Sequence, residues 1–161
     1  MKKVAVAALS ALAVLLVGCG NTSSTTVSSN GSFWEATLVE TSGAATPYDF
    51  NTQFSISGTG ALSVSSLVFF TSNPCFVSGA TGSGQAMLTV DTTTSQVTGT
   101  LNYGLQSGTP TGNSLQLTGT TVTGTESGTA LTGGVVTGTW TLTATSAGCA
   151  NNSGSFTLRQ Q

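Results

Sequence analysis

The ten residues Val136-Thr-Gly-Thr-Trp-Thr-Leu-Thr-Ala-Thr145 place a threonine at every second position. Val136, Trp140 and Leu142 therefore fall on one face of an extended chain, and threonines alone fall on the other. Successive side chains of a β-strand point to opposite faces of the sheet. Threonine suits the hydrated face of a strand because it is β-branched and carries a hydroxyl group. The stretch predicts a strand with one buried face and one face in water.

The same two-residue period recurs from residue 33 to the C-terminal end, and no segment there has a helical period. Gly, Pro and Asn clusters separate the periodic segments, as turns do. We predict one all-β domain over residues 33–161, a small antiparallel up-and-down β-barrel of about eight strands, with a β-sandwich as the alternative. The residues predicted to face the core together are Trp34, Ala36 and Leu38; Phe50, Phe54 and Ile56; Leu62 and Val64; Ala86, Leu88 and Val90; Val97, Leu101 and Tyr103; Leu115 and Leu117; Phe156 and Leu158.

Two irregularities interrupt the alternation. The Ser65-Ser66 pair shifts its phase, which predicts a β-bulge. A small Thr-Gly-Thr motif also recurs within predicted strands. Glycine inside a strand fits a sheet that must bend into a barrel, although drift in a Thr/Gly-rich sequence would give the same motif. The four copies are Val97–Thr100, Leu117–Thr120, Val122–Thr125 and Val136–Thr139.

The N-terminal region has the organisation of a secretory signal. Lys2 and Lys3 precede an uncharged run over residues 4–17, and small residues lead up to Cys19. The run is shorter than the roughly 20 residues that a membrane-spanning helix needs. We therefore predict a cleaved signal peptide over residues 1–18.

The sequence Leu16-Val-Gly-Cys19 resembles the lipobox of bacterial lipoproteins. The resemblance implies cleavage before Cys19, a diacylglycerol on its sulfur and acylation of the new amine. Residues 19–32 then form the lipidated cysteine and a flexible polar tether to the membrane. Gly20, rather than Asp, follows the cysteine. In Gram-negative lipoproteins this implies a lipid-anchored place in the cell envelope at the outer membrane, on its periplasmic face or at the cell surface.

Cys75 and Cys149 are the cysteines left after Cys19. An even pair in an exported, oxidising compartment predicts a disulfide between them, with two free thiols as the alternative. Two cysteines with no histidine offer too few soft ligands for a metal site. We expect neither a metal nor a cofactor.

Charge excludes several functions. The chain has three Lys and Arg, five Asp and Glu, and no His. Once the signal is removed, Arg159 is the one Lys or Arg left, which excludes nucleic acid as a partner and polybasic binding to lipid. Without His or a mature Lys, the usual general bases are missing. Glu35 and Glu40 fall on opposite faces of one strand, so they do not form a glycosidase pair. We predict that the chain is not an enzyme.

The strands that carry Trp34 and Arg159 would be neighbours in an up-and-down barrel. The guanidinium could then cover the indole and close the barrel through a cation–π contact. This arrangement resembles that of lipocalins, in which a Trp near the start packs under an Arg near the end. The sequence departs from the lipocalin signature, because two residues separate Gly31 from Trp34 and no helix is predicted. The alternative is a buried core Trp and an unrelated surface Arg.

A late Gly-Cys pair, Gly148-Cys149, precedes a final strand that contains Phe156-Thr-Leu158. With the lipobox, the polar tether and the β domain, this order resembles that of small Thr/Gly-rich exported lipoproteins of Gram-negative bacteria, most of which have no assigned activity. We expect a lipid-anchored cell-envelope protein with a non-catalytic structural or interaction role. One alternative is a calycin-like carrier of a small hydrophobic ligand, with an apolar mouth at Phe69-Phe70 and Pro74-Cys75-Phe76. A further alternative is an adhesin or carbohydrate-binding β-sandwich.

Overall fold

The computed structural model describes residues 32–77, 79–108, 112–127 and 130–161. The predicted signal peptide, Cys19 and the tether as far as residue 31 lie outside the described residues. The described chain is built of strands and contains no helix, which confirms the all-β prediction. The strands are β1 (Phe33–Glu40), β2 (Phe50–Ile56), β3 (Ala61–Phe69), β4 (Ala80–Val90), β5 (Gln96–Ser107), β6 (Ser114–Ser127), β7 (Ala130–Thr143) and β8 (Asn152–Gln160).

The eight strands form a closed up-and-down barrel, as predicted, rather than a sandwich. Each strand pairs antiparallel with the next, and β8 returns to pair with β1. That closing seam has seven register pairs, from Trp34 with Gln160 to Glu40 with Gly154. Closure removes the two free edges that an open sheet would present.

The strands alternate in direction, so the connections divide between the two ends of the barrel. Those after β1, β3, β5 and β7 lie at one end, which we call the disulfide end because it holds Cys75 and Cys149. Those after β2 and β4 lie at the other, which we call the terminal end, and β6 ends and β7 begins there. Ser32 and Gln161 also lie there. A chain segment that precedes residue 32 therefore joins the barrel at its terminal end.

The predicted faces of β7 are confirmed. Val136, Trp140 and Leu142 point inward and are at most 1% exposed, whereas the threonines between them are exposed. The aromatic side chains inside the barrel contact one another. Trp34 stacks on Phe54 with ring centroids 5.2 Å apart.

The predicted bulge is also confirmed. In the pairing of β2 with β3, Gln53 pairs with Ser66 and Phe54 with Val64, so Ser65 is the extra residue. Three of the four Thr-Gly-Thr motifs lie at further shifts in register. These shifts follow Gly99 in the β5–β6 pairing, and they follow Gly119 and span Gly124 in the β6–β7 pairing. Because bulges bend and twist a strand locally, this placement supports the interpretation that the motif curls the sheet.

The glycine of the fourth motif, Gly138, lies directly across from Gly119 in the β6–β7 pairing. A Cβ atom on Gly138 would collide with the backbone carbonyl oxygen of Thr118. At this position the two strands come too close for a side chain, so glycine is required for packing.

We expect Gly138→Ala to lower the free energy of unfolding by about 1–3 kcal/mol, the range for overpacking a filled interior. Thr139→Ala is the matched control, because this neighbouring side chain is exposed and its loss should change stability by less than about 0.5 kcal/mol. Urea unfolding followed by tryptophan fluorescence measures both. Equal stability of the two variants would contradict the packing requirement.

Candidate functional site

The interior of the barrel is filled by its own side chains. Trp34, Phe50, Phe54 and Tyr103 are each 0% exposed, and the buried leucines of the same core are at most 8% exposed. A cavity large enough for water would leave accessible surface on the side chains around it. No such cavity therefore touches these side chains, and the part of the interior that they surround is filled.

One hydrogen-bonded chain runs through this interior. The Tyr103 hydroxyl lies 2.6 Å from Thr52 Oγ1, and Thr52 Oγ1 donates to the Ser66 carbonyl oxygen at 3.0 Å. Thr52 has one hydroxyl hydrogen, so Tyr103 is the donor in the first bond. Burial raises the pKa of Tyr103 to about 12. The phenol therefore stays protonated at neutral pH and acts as a fixed structural donor rather than as a base.

The predicted disulfide between Cys75 and Cys149 is confirmed. It joins the connection after β3 to the connection after β7, across the disulfide end. The Tyr48 hydroxyl lies 3.6 Å from the Cys75 sulfur, and the Tyr48 ring meets Trp140 edge-on at 5.9 Å. The disulfide is thus packed against aromatic side chains at the disulfide end of the core.

Asn113 ties the same end together by hydrogen bonds. Its side chain is fully buried, and its Nδ2 donates to the Cys75 carbonyl oxygen at 2.9 Å and to Ser146 Oγ at 2.7 Å. Its Oδ1 accepts from the backbone N–H groups of Thr145 and Ser146. Sequence analysis missed this residue, because a single Asn before a strand does not show which distant backbone groups it will meet.

The pairing of β3 with β4 is incomplete. β3 pairs with β2 along most of its length, but with β4 only through Ala61, Leu62 and Ser63. β4 pairs with β5 at all eleven of its positions. In the described chain, Val64–Phe69 therefore has no register partner in β4. We call this segment of β3 the open seam.

Apolar side chains surround the open seam on both faces of β3. On the inner face, Val64, Leu67 and Phe69 are only partly buried, although they pack against the core. On the outer side, Val68 is 61% exposed and Phe70, just beyond the strand, is 49% exposed. β4 stays close at the start of this segment, because a Cβ atom on Gly82 would lie 2.9 Å from Val64 Cγ2. An apolar strand segment that lacks a register partner and lacks charge is a site where another polypeptide can bind. The open seam is the candidate functional site.

The structure corrects the predicted contact between Trp34 and Arg159. Their strands do pair, but the register joins Arg159 to Glu35 and Trp34 to Gln160. Neighbouring residues of a strand project to opposite faces, so this one-residue offset puts Trp34 inside and Arg159 outside. The indole is fully buried, the guanidinium is exposed, and the expected cation–π contact is not formed.

Two shallow depressions lie on the outer wall near this closing seam. Arg159 lines the smaller one, of about 240 Å³, together with Glu35, Thr37 and Thr157. The larger one, of about 560 Å³, lies over Gly154 and includes Glu40 in its lining. The smaller one is lined equally by charged and hydroxyl-bearing side chains, and the larger one mainly by threonine, serine and glycine.

Among the described residues, no group of three or more His, Cys, Asp or Glu side chains is placed to hold a metal ion. Nor does the described chain contain a helix long and apolar enough to cross a bilayer. Comparison of the chain with known protein families, with curated proteins and with solved structures finds no match.

We expect the stability effect of Tyr103→Phe to change sign with pH. At pH 7 the variant should be less stable by about 1 kcal/mol, because one buried hydrogen bond is lost. The wild-type phenol has a pKa of about 12 when folded and 10.0 as the ordinary value. The contribution of the protonated phenol to the free energy of unfolding is therefore fully present below pH 10. It is lost as the pH rises through 12, and the total loss is up to about 3 kcal/mol.

The phenylalanine variant lacks this titration and should become the more stable protein near pH 11. Urea unfolding of both proteins at pH 7, 10 and 11 measures the difference. A stability difference that stays constant over this range would show that Tyr103 does not titrate in this way.

Proposed function

We propose that this chain is a lipid-anchored protein of the bacterial cell envelope with a non-catalytic interaction role. The observation that carries the proposal is the Leu16–Cys19 sequence behind a basic, apolar leader. Acylation at Cys19 would provide a stable anchor, because each buried methylene contributes about 0.8 kcal/mol and two or three chains act together. The polar segment that follows offers little apolar surface to bury and suits a tether.

The position of the barrel's N-terminus supports this arrangement. Ser32 lies at the terminal end, where its hydroxyl accepts a hydrogen bond of 2.8 Å from Gln160 Nε2. A tether from Cys19 to Ser32 reaches about 40 Å when fully extended. Anchored in this way, the barrel would be joined to the membrane through its terminal end, and a tether of this length would leave the disulfide end and the open seam accessible to partners.

The shape of the barrel and its filled interior argue against the two alternative functions, a ligand carrier and a carbohydrate-binding sandwich. A calycin-like carrier needs room among Trp34, Phe54 and Tyr103, and these side chains leave none. The carbohydrate-binding alternative assumed a sandwich, and the sheet is a closed barrel. An interaction role fits better, because Val68 and Phe70 place uncharged apolar surface at the open seam and just beyond it.

We expect Cys19→Ala to remove the protein from the membrane fraction of a Gram-negative host, with the bound fraction falling by at least about tenfold as the acyl chains are lost. Intact-mass analysis should show wild-type protein cleaved before Cys19 and carrying acyl chains. A double variant, Cys75→Ala with Cys149→Ala, is the control, because it removes the other two cysteines and should stay membrane-bound. Wild-type protein that keeps its leader and carries no lipid would refute the proposal.

A further inference from the structure

The smaller depression on the outer wall holds two opposite charges side by side. Glu35 on β1 and Arg159 on β8 are register partners, and Thr37 and Thr157 form the next outward-facing pair along the same two strands. These four side chains line a volume of about 240 Å³, which we call the charged depression. Its polar groups are one carboxylate, one guanidinium and two hydroxyls, so it offers partners to both an anionic and a cationic group of a ligand.

The two charges of the depression are not paired within the barrel. Among the described residues, neither the Glu35 carboxylate nor the Arg159 guanidinium has a hydrogen-bond or salt-bridge partner. Arg159 is also the only Lys or Arg in that part of the chain. A guanidinium binds phosphate and carboxylate groups through paired N–H donors. Arg159 is therefore the one side chain of the described residues whose charge attracts an anion.

The surroundings of Glu35 are negative beyond its own carboxylate, because Asp49 lies nearby. Burial raises the pKa of Asp49, and repulsion by the Glu35 carboxylate raises it further. The Leu38 N–H, which donates to Asp49 Oδ1 at 2.7 Å, lowers the same pKa. A plain anion on Arg159 would be repelled by these carboxyl groups, whereas a ligand that also carries an ammonium group would be attracted at both ends.

The charged depression lies near the terminal end of the barrel. Glu35 is the third residue of β1, and Arg159 is the last but one of β8. Phe33, two residues before Glu35 on the same outer face, is 56% exposed at the rim of this end. The predicted tether joins the barrel one residue earlier, at Ser32, so a membrane that holds Cys19 lies within its reach. The tether would thus keep lipid headgroups at a high effective concentration beside the depression.

We propose that the charged depression binds the headgroup of a membrane phospholipid in which a primary ammonium and a phosphate lie a few bonds apart, as in ethanolamine phosphate. Arg159 binds the phosphate through its N–H groups, and Glu35 accepts hydrogen bonds from the ammonium. The hydroxyls of Thr37 and Thr157 supply further donors and acceptors between these two charges. Phe33 contacts the apolar part of the lipid, as aromatic side chains do at the boundary of headgroups and acyl chains.

The inference rests on the proposed lipid anchor, because the anchor is what brings the terminal end to a bilayer. The two are measured separately, since binding of a soluble headgroup does not require acyl chains on Cys19. A lipidated protein whose charged depression binds no headgroup would overturn the inference alone. A protein without lipid that still binds the soluble headgroup would overturn the anchor and leave the site in place.

The test uses the side chain of Arg159 as its reporter. Arg159 is the only arginine in the sequence, so the arginine Nε–H signal in a proton–nitrogen NMR spectrum belongs to it alone. Two soluble phosphodiesters that differ in the ammonium group, glycerophosphoethanolamine and glycerophosphoglycerol, are added to the processed full chain in nonionic detergent. The first should shift the signal with a Kd on the order of 1 mM, and the second should bind at least about threefold more weakly. No shift up to about 100 mM, or equal binding of the two, would overturn the proposal.

Matched variants locate the ammonium end of the ligand. Glu35→Gln should remove the preference for the ethanolamine diester, because the carboxylate that attracts the ammonium is lost. Glu40→Gln should keep the preference, since Glu40 lies at the other end of β1 and lines the larger depression. Both substitutions keep the length of the side chain, and thermal unfolding checks that both variants remain folded. A preference that survives Glu35→Gln would refute the assignment of Glu35.

Nanodiscs distinguish a membrane headgroup from a free solute. The lipidated chain is placed in nanodiscs of phosphatidylcholine, whose quaternary ammonium has no N–H donor, and phosphatidylethanolamine or phosphatidylglycerol is added. The Arg159 signal should shift with added phosphatidylethanolamine and stay in place with added phosphatidylglycerol. Binding of the soluble diester without this shift would overturn the membrane as the source of the ligand. An equal shift with phosphatidylglycerol would overturn the requirement for an ammonium group.

Discussion

The backbone pairing of β1 with β8 is the interaction on which the rest of the structure depends. Seven register pairs join the first strand to the last and turn an eight-strand sheet into a closed wall. Without that seam the sheet would have two long edges and its inner face would be open to water. With it, Trp34 and Leu158 lie fully buried on the two closing strands. The burial of apolar surface that stabilises the fold therefore follows from closure.

Much of this fold could be predicted because alternation is a local property of the sequence. A period of two assigns each side chain to a face without knowledge of its neighbours, and a slipped phase at Ser65 reveals a bulge for the same reason. The disulfide between Cys75 and Cys149 could be predicted because two cysteines remain after Cys19 and because an exported chain is expected in an oxidising compartment. The contact of Trp34 with Arg159 failed because it depended on the register between two strands far apart in sequence. A one-residue difference in register reverses which face a side chain occupies.

The open seam and Asn113 could not be predicted, for a related reason. The shifted phase in β3 reveals its bulge, but nothing in its sequence shows that β4 pairs with it at only three positions. Asn113 is one of many polar residues near turns. Its role depends on the Cys75 carbonyl and on Ser146, which come from two other connections. Both features depend on how separate parts of the chain meet in space.

The cross-link at the disulfide end has a consequence for the open seam. The connection that leaves β3 carries Phe76, which stacks on Phe69 at 5.0 Å, and Cys75, which is bonded to Cys149. Asn113 holds the Cys75 carbonyl as well. These contacts restrain the chain immediately beyond the seam, so the edge of β3 is held in place before any partner arrives. A strand edge that is already ordered costs less conformational entropy on pairing, and this preorganisation favours its use as a binding surface.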